Sequence, residues 1–150
     1  MPPSNDKRGG VTAKTIRDVM TKNPCAIDAD KPVAYAAKMM QQENVGIAPI
    51  VEGNRLVGTL TDRDIVVRVV AEGKDPQRVT SREAASTAPI TIDPEEDLDE
   101  ALRLMATHQV RRLPVVEQDG RVVGVLAQAD VAEEAKPKKT GELVEEISKD

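Results

Sequence analysis

Aromatic residues are almost missing from the 150-residue chain, which has no Trp, no Phe and a single Tyr, Tyr35. Proteins that bind single-stranded nucleic acid stack the bases on aromatic side chains, and proteins that track the phosphate backbone need a basic face. The formal net charge of this chain is −5. We therefore expect no nucleic-acid partner, and we expect a core built from aliphatic side chains, Ala and Met.

Cysteine, histidine and long apolar runs are also scarce. The one cysteine, Cys25, cannot form an intrachain disulfide and is compatible with a reducing cytoplasm. With one histidine, the chain has no Ser/His/Asp set and no metal-ligand cluster, so we expect neither an enzyme nor a metal site. No apolar run approaches the ~20 residues that cross a bilayer. The polar residues 1–10 predict a disordered leader, not a signal peptide.

An internal repeat is the strongest signal that the chain does contain. Residues 15–52 align with residues 80–117 without a gap, and residues 55–64 align with residues 121–130 after one extra residue in the second copy. Identical pairs include Pro24/Pro89, Asp28/Asp93, Met40/Met105, Pro49/Pro114, Gly58/Gly124 and Asp64/Asp130. Such a register predicts two copies of one structural unit.

Each copy predicts a short strand, a helix, a β-hairpin and a final helix. In the first copy a helix opened by Asp30 and Pro32 follows the extended stretch Cys25–Ile27. Apolar residues recur at helical spacing in both copies, at Val33, Ala36, Ala37 and Met40 and at Leu98, Ala101, Leu102 and Met105. The predicted hairpins are Ile47–Val51 with Leu56–Leu60, around Gly53-Asn54, and Leu113–Val116 with Val122–Leu126, around Asp119-Gly120. The final helix of the first copy is predicted near Asp62–Glu72, ending at Gly73 and burying Ile65, Val66, Val69 and Val70.

A unit of about 60 residues is marginally stable alone, so we expect the two copies to pack face to face in one α+β structure. The predicted organisation is a leader at 1–10, repeat 1 at 11–73, a linker at 74–79 and repeat 2 at 80–135. A polar tail follows at 136–150, with a predicted short helix that carries Leu143, Val144 and Ile147.

The motifs in these repeats resemble those of the cystathionine-β-synthase (CBS) domain pair, in particular its stand-alone bacterial type. The motifs lie at Asp18–Pro24, Ala48–Glu52, Val57–Ile65, Arg111–Glu117 and Val122–Val131. The resemblance implies a β-α-β-β-α unit in each repeat and a non-catalytic regulatory module. It also implies an adenine nucleotide (AMP, ADP or ATP) or a related adenosyl ligand in the cleft between the repeats, with no obligatory cofactor.

The resemblance further implies a binding motif at the end of the first hairpin. In the family, a Gly-x-x-Ser/Thr-x-x-Asp segment supplies a hydroxyl near phosphate and a carboxylate for the ribose hydroxyls. Here the segment contains Gly58, Thr61 and Asp64, with Arg63 as a further phosphate candidate. Thr61-x-x-Asp64 is equally a helix-capping pattern, and that alternative stays open. In the second copy Asp130 is retained but Ala127 replaces the hydroxyl, which predicts that the cleft around Thr61 and Asp64 is the better one.

The remaining site candidates supply charge and apolar walls. Arg111 and Arg112 precede a strand at the level where the family places basic residues toward phosphate, and strand alternation sends only one of them inward. We expect adenine to meet the aliphatic residues Ile47, Ala48, Pro49, Cys25 and Ala26. Cys25 is interpreted as a small packing residue and not as a redox switch. The alternative function is a scaffold whose clefts stay empty. In either case we expect a homodimer, a regulated protein that the motifs do not name, and no membrane.

Overall fold

The computed structural model describes residues 14–135, and the predicted leader at 1–10 and the tail helix near Leu143 lie outside that range. The first half contains α1 (Ile16–Val19), β1 (Thr21–Lys22), β2 (Ile27–Asp28), α2 (Val33–Glu43), β3 (Ile47–Glu52), β4 (Arg55–Thr61) and α3 (Asp62–Ile65), which continues as a π-helical stretch (Val66–Val70). The second half contains α4 (Ser81–Ala84), α5 (Leu98–His108), β5 (Arg112–Val116), β6 (Val122–Ala127) and α6 (Gln128–Ala135). The predicted α+β fold is confirmed.

The strands form two three-stranded sheets. The first has the order β2-β3-β4, with β2 parallel to β3 and the hairpin strands β3 and β4 antiparallel. The second has the order β1-β6-β5, and β5 and β6 again form an antiparallel hairpin. Gly53 and Gly120 adopt positive φ angles of 64° and 95° in the two turns, as the turn signals predict.

The two repeats exchange segments. Strand β1 lies in the first half of the sequence but pairs with β6 of the second half, placing Thr21 opposite Val125. In the reverse direction, Ser86 bridges to Thr59 of β4 in the first half. The repeat register did not predict this exchange, because an internal alignment shows which segments match and not which of them pair.

Each hydrophobic core is completed by a segment from the other half of the chain. Ala84 and Ala85, at the end of α4, are buried in the core formed by α2, β3 and β4. Ile16 and Met20, from α1 and the residue after it, are buried in the core formed by α5, β5 and β6. Separating the repeats would therefore open both cores.

The helical stripes of α2 and α5 are largely buried, as their spacing predicts. The fully buried members are Val33, Ala36, Met40, Ala101 and Met105, while Ala37, Leu98 and Leu102 are half-buried. Helix α2 begins at Val33, after Pro32, and Asp30 does not cap it. The backbone N–H of Asp30 instead donates to the Asp28 carboxylate at 2.9 Å.

The prediction for the final helix of the first repeat is partly wrong. The helix ends at Val70, and of its four predicted apolar residues only Val69 is fully buried. Val66 and Val70 are 55% and 64% exposed. The physical reason is the π-helical stretch, in which the Ala71 N–H donates to the Val66 carbonyl. A π turn holds one residue more than an α turn, so the apolar stripe rotates away from the core.

The exchange places backbone from the other half of the chain directly over the matched glycines Gly58 and Gly124. A Cβ on Gly58 would lie 2.6 Å from the Ser86 carbonyl oxygen. A Cβ on Gly124 would lie 2.8 Å from the Thr21 carbonyl oxygen. Both contacts are too short for a real Cβ, so both positions require glycine because of the backbone that passes over them.

We predict that Gly58→Ala destabilises the fold by about 1–3 kcal/mol, because backbone must move to admit the methyl group. Chemical denaturation measures the change. The matched control is Gly46→Ala, whose added Cβ would meet only the side-chain carboxylate of Asp62, at 3.3 Å. The control should change the free energy of unfolding by less than about 1 kcal/mol. Equal losses in both variants would contradict the packing account.

Candidate functional site

A cleft of about 410 Å³ opens between the two repeats, within the size range of small-molecule sites. The first half of the chain contributes Thr21, Asn23, Pro24, Cys25, Glu43, Val45, Ile47 and Pro49. The second half contributes Arg112, Val125, Ala127, Ala129 and Asp130. The exchange explains part of this lining. After β1 has paired with the second sheet, the chain crosses back to the first sheet at β2.

Asp130 supplies a free carboxylate to the cleft. It lies in the first turn of α6 and is half-buried. Within residues 14–135 its carboxylate takes part in no hydrogen bond and no ion pair. The position one turn later holds Glu134, whose carboxylate lies 3.4 Å from the Lys14 ammonium group. Asp130 is thus a hydrogen-bond acceptor available to a ligand.

The cleft has a basic end. A neighbouring cavity of about 470 Å³ is lined by Arg111, Arg112, Ala127, Gln128, Ala129 and Ala132. It shares Arg112, Ala127 and Ala129 with the cleft. Both arginines are exposed, and neither guanidinium group pairs with a carboxylate in the described part of the chain. Only Arg112 lines the cleft itself, which agrees with the alternation expected along a strand.

Other residues of the cleft lining are acidic or apolar. Glu43, Cys25 and Val45 line the cleft but not the basic cavity. Burial raises the pKa of the Cys25 thiol, and the negative charge of Glu43 raises it further. The thiol is therefore protonated at neutral pH, and Cys25 packs against the first core, as its interpretation as a packing residue predicts.

Thr61 and Asp64 form a helix cap. The Asp64 N–H donates to the Thr61 hydroxyl at 3.0 Å, and the Thr61 N–H donates to the Asp64 carboxylate at 2.9 Å. The other Asp64 oxygen lies 3.9 Å from Nε of Arg68, whose Nη1 donates to the carbonyls of Ala84 and Ala85. The capping alternative is therefore present in the structure, and a ligand role for this pair remains a prediction.

The other candidates from the sequence lie away from the cleft lining. Gly58 is buried beneath Ser86, so its close backbone approach is to the chain itself and not to a ligand. Ala48 is fully buried in the first core and presents no surface to a cleft. Ala26 and Arg63 are exposed and lie outside the lining. The predicted residues that the cleft does bring together are Cys25, Ile47, Pro49, Arg112 and Asp130.

Sequence reasoning missed Glu43, Asn23 and the β1 residue Thr21. Glu43 is the last residue of α2 and aligns with His108, the last residue of α5. In the alignment of the two copies, the carboxylate of the first copy stands at the position of an imidazole in the second. This difference between the repeats is visible in the sequence. Its importance depends on the exchange, which the register did not show.

No group of three or more His, Cys, Asp or Glu side chains in residues 14–135 could hold a metal ion. None of the helices in that range has the length and apolar character needed to span a membrane.

Comparison with known proteins identifies the family of both halves. The family model of the CBS domain matches residues 16–71 and 82–136. CBS domain-containing protein YhcV of Bacillus subtilis is 42% identical over 118 residues, which cover 79% of this chain and 83% of that protein. Hypoxic response protein 1 of Mycobacterium tuberculosis is 37% identical over 119 residues, covering 79% of this chain and 82% of that protein.

Solved structures show the same fold. The crystal structure of Hypoxic Response Protein I, described with two coordinated zinc ions, superimposes with a TM-score of 0.74 at 36% identity and covers 80% of this chain and 98% of its own. The CBS domain pair of protein MJ0100, in complex with 5-methylthioadenosine and S-adenosyl-L-methionine, gives a TM-score of 0.73 at 27% identity. That match covers 85% of this chain and 99% of the MJ0100 chain.

Proposed function

The chain belongs to the CBS domain family, and from this membership we propose that it is a non-catalytic regulatory module that binds an adenine nucleotide or a related adenosyl ligand in the cleft at Asp130. The observation that carries the proposal is the free, half-buried carboxylate of Asp130 in a cleft formed by both repeats. The adenosyl ligands of the MJ0100 domain pair support the ligand class. No obligatory cofactor is part of the proposal, and the single cysteine supports a cytoplasmic location.

The lining matches the parts of such a ligand. A carboxylate can accept hydrogen bonds from two neighbouring ribose hydroxyls, which is the role we propose for Asp130. Arg111 and Arg112 would meet a 5′-phosphate, because guanidinium groups form charge-assisted hydrogen bonds with phosphate oxygens. Val45 and Ile47 would form apolar walls against the base.

We place the ligand at Asp130 although the sequence ranked the Asp64 cleft higher. That ranking was based on the Thr61 hydroxyl, which Ala127 lacks. In the folded chain the Thr61 hydroxyl accepts from Asp64, and the Asp64 carboxylate accepts from Thr61 and lies near Arg68. A ligand at Asp64 would compete with these contacts, whereas a ligand at Asp130 would displace none within the described residues.

Regulation would follow from the shared lining. A ligand that contacts Ile47 of one sheet and Arg112 of the other favours one relative arrangement of the repeats over another. A ligand shifts such an equilibrium only by its difference in affinity for the two arrangements. The regulated protein would recognise the arrangement that the ligand favours.

We predict that Asp130→Ala weakens binding of AMP by about 10–100-fold, because the loss of a charge-assisted hydrogen bond costs about 1.5–3 kcal/mol. Isothermal titration calorimetry on folded protein measures the affinity. The matched control is Asp64→Ala. It should cost about 0.5–2 kcal/mol of folding stability through the lost cap and leave the affinity nearly unchanged. The reverse result would restore the ranking from the sequence, and no heat with any adenosyl ligand would refute the proposed function.

A second proposal concerns assembly and is the basis of the scaffold alternative. Val66, Val67 and Val70 are 55%, 45% and 64% exposed, on one helical segment after the first hairpin. Exposed apolar patches on soluble proteins mark contact surfaces. We propose that this valine patch joins two copies of the chain into a homodimer.

We predict that the wild-type protein sediments at twice the 16.2 kDa chain mass at micromolar concentration and that Val70→Lys shifts it to the monomer. A buried lysine at the interface would leave a charge without a partner, which disfavours association. The control, Gln118→Lys, adds the same charge at an exposed turn of the second repeat and should remain dimeric. A wild type that sediments only as the 16.2 kDa species would refute the dimer.

A further inference from the structure

One residue of the cleft lining has an unusual backbone conformation. Within residues 14–135, three non-glycine residues have a positive φ angle: Asn23 at 53°, Asn44 at 57° and Gln109 at 55°. Asn44 and Gln109 end the matched helices α2 and α5, where a left-handed residue is a common way to terminate a helix. Asn23 follows strand β1 and ends no helix. Helix capping therefore does not account for its conformation.

The sequence around Asn23 makes a left-handed backbone costly there. Pro24 follows it, and a residue before proline prefers an extended conformation with a negative φ angle. Asparagine tolerates positive φ better than most residues because its short side chain can hydrogen-bond locally. In the described part of the chain, however, the Asn23 side chain makes no hydrogen bond. Such a conformation persists only where the surrounding structure holds it, and strained backbone of this kind is concentrated at functional sites.

The position of Asn23 connects its conformation with the cleft. Strand β1 ends at Lys22, and Asn23, Pro24 and Cys25 then carry the chain back toward the first sheet and line the cleft. The matched residue of the second copy, Ala88, also precedes a proline but does not have a positive φ angle. The left-handed turn is therefore a feature of the crossing segment at the cleft and not of the repeat as such.

The following inference rests on the proposed function. We propose that Asn23 is a positioning residue, whose left-handed backbone directs Pro24 and Cys25 along the cleft as the wall that the ligand contacts. The apparent affinity of a ligand falls with the fraction of the protein that has the binding-competent conformation. Ligand affinity therefore depends on the φ angle at residue 23 and not on the side-chain amide. Glycine, which adopts a positive φ angle readily, can replace Asn23 in this role.

The test is calorimetric titration of the full chain with AMP, well below the melting temperature, for wild type, Asn23→Ala and Asn23→Gly. Asn23→Ala should weaken AMP binding by about 3–10-fold, because the cost of a left-handed alanine shifts the crossing segment toward an extended conformation. Asn23→Gly should bind AMP within about twofold of wild type, because glycine keeps the turn. A contact made by the side-chain amide would be lost in both variants.

Gly53→Ala is the matched control. Gly53 has a φ angle of 64° in the first hairpin turn and lies outside the cleft lining, and a Cβ added there would meet no atom within 4 Å. The control therefore introduces a left-handed alanine without a clash. Both alanine variants should lower the melting temperature by about 2–8 °C. Only Asn23→Ala should lose affinity for AMP.

The outcomes separate the inference from the proposed function. Unchanged AMP affinity in Asn23→Ala, or an equal loss of affinity in Gly53→Ala, would overturn the positioning role and leave the adenosyl site standing. Equal losses in Asn23→Gly and Asn23→Ala would also overturn it, since the side-chain amide would then contact the ligand. If wild type binds neither AMP nor methylthioadenosine, both the inference and the proposed function fail.

Discussion

The structure depends on the crossing of each repeat's leading segment onto the opposite sheet. Strand β1 pairs with β6, and Ser86 bridges to β4, so each core is closed by residues from the other half of the sequence. A unit of about 60 residues buries too little surface to be robust alone. The exchange makes two marginal units into one, and it requires glycine at Gly58 and Gly124, where the crossing backbone passes.

The same crossing builds the cleft. The chain leaves the second sheet after Lys22 and joins the first sheet at Ile27, and residues 23–25 between them line one wall. Asp130 and Arg112 form the opposite wall from the second half of the chain. A ligand in this position would contact both repeats at once, and this shared contact would couple ligand binding to the relative arrangement of the repeats.

The local structure could be predicted from the sequence because it depends on short-range rules. The apolar spacing of α2 and α5 and the Gly53 and Gly120 turns are such features. The exchange could not be predicted, because which hairpin β1 joins is decided by long-range packing. The π-helical stretch was missed for a related reason: four of the five residues from Val66 to Val70 are valines, so their pattern does not determine which valine faces the core, and the hydrogen bonding decides it.

The candidate site was predictable in its residue types but not in its grouping. Asp130, Arg112 and the aliphatic wall around Ile47 were identified from the motifs, whereas Glu43 becomes relevant only once the chain is folded. A crystal structure of the chain grown with AMP shows where the nucleotide binds. We expect one nucleotide per chain, with its ribose hydroxyls on the Asp130 carboxylate. A nucleotide bound only at Asp64, or both clefts empty at saturating AMP, would contradict this expectation.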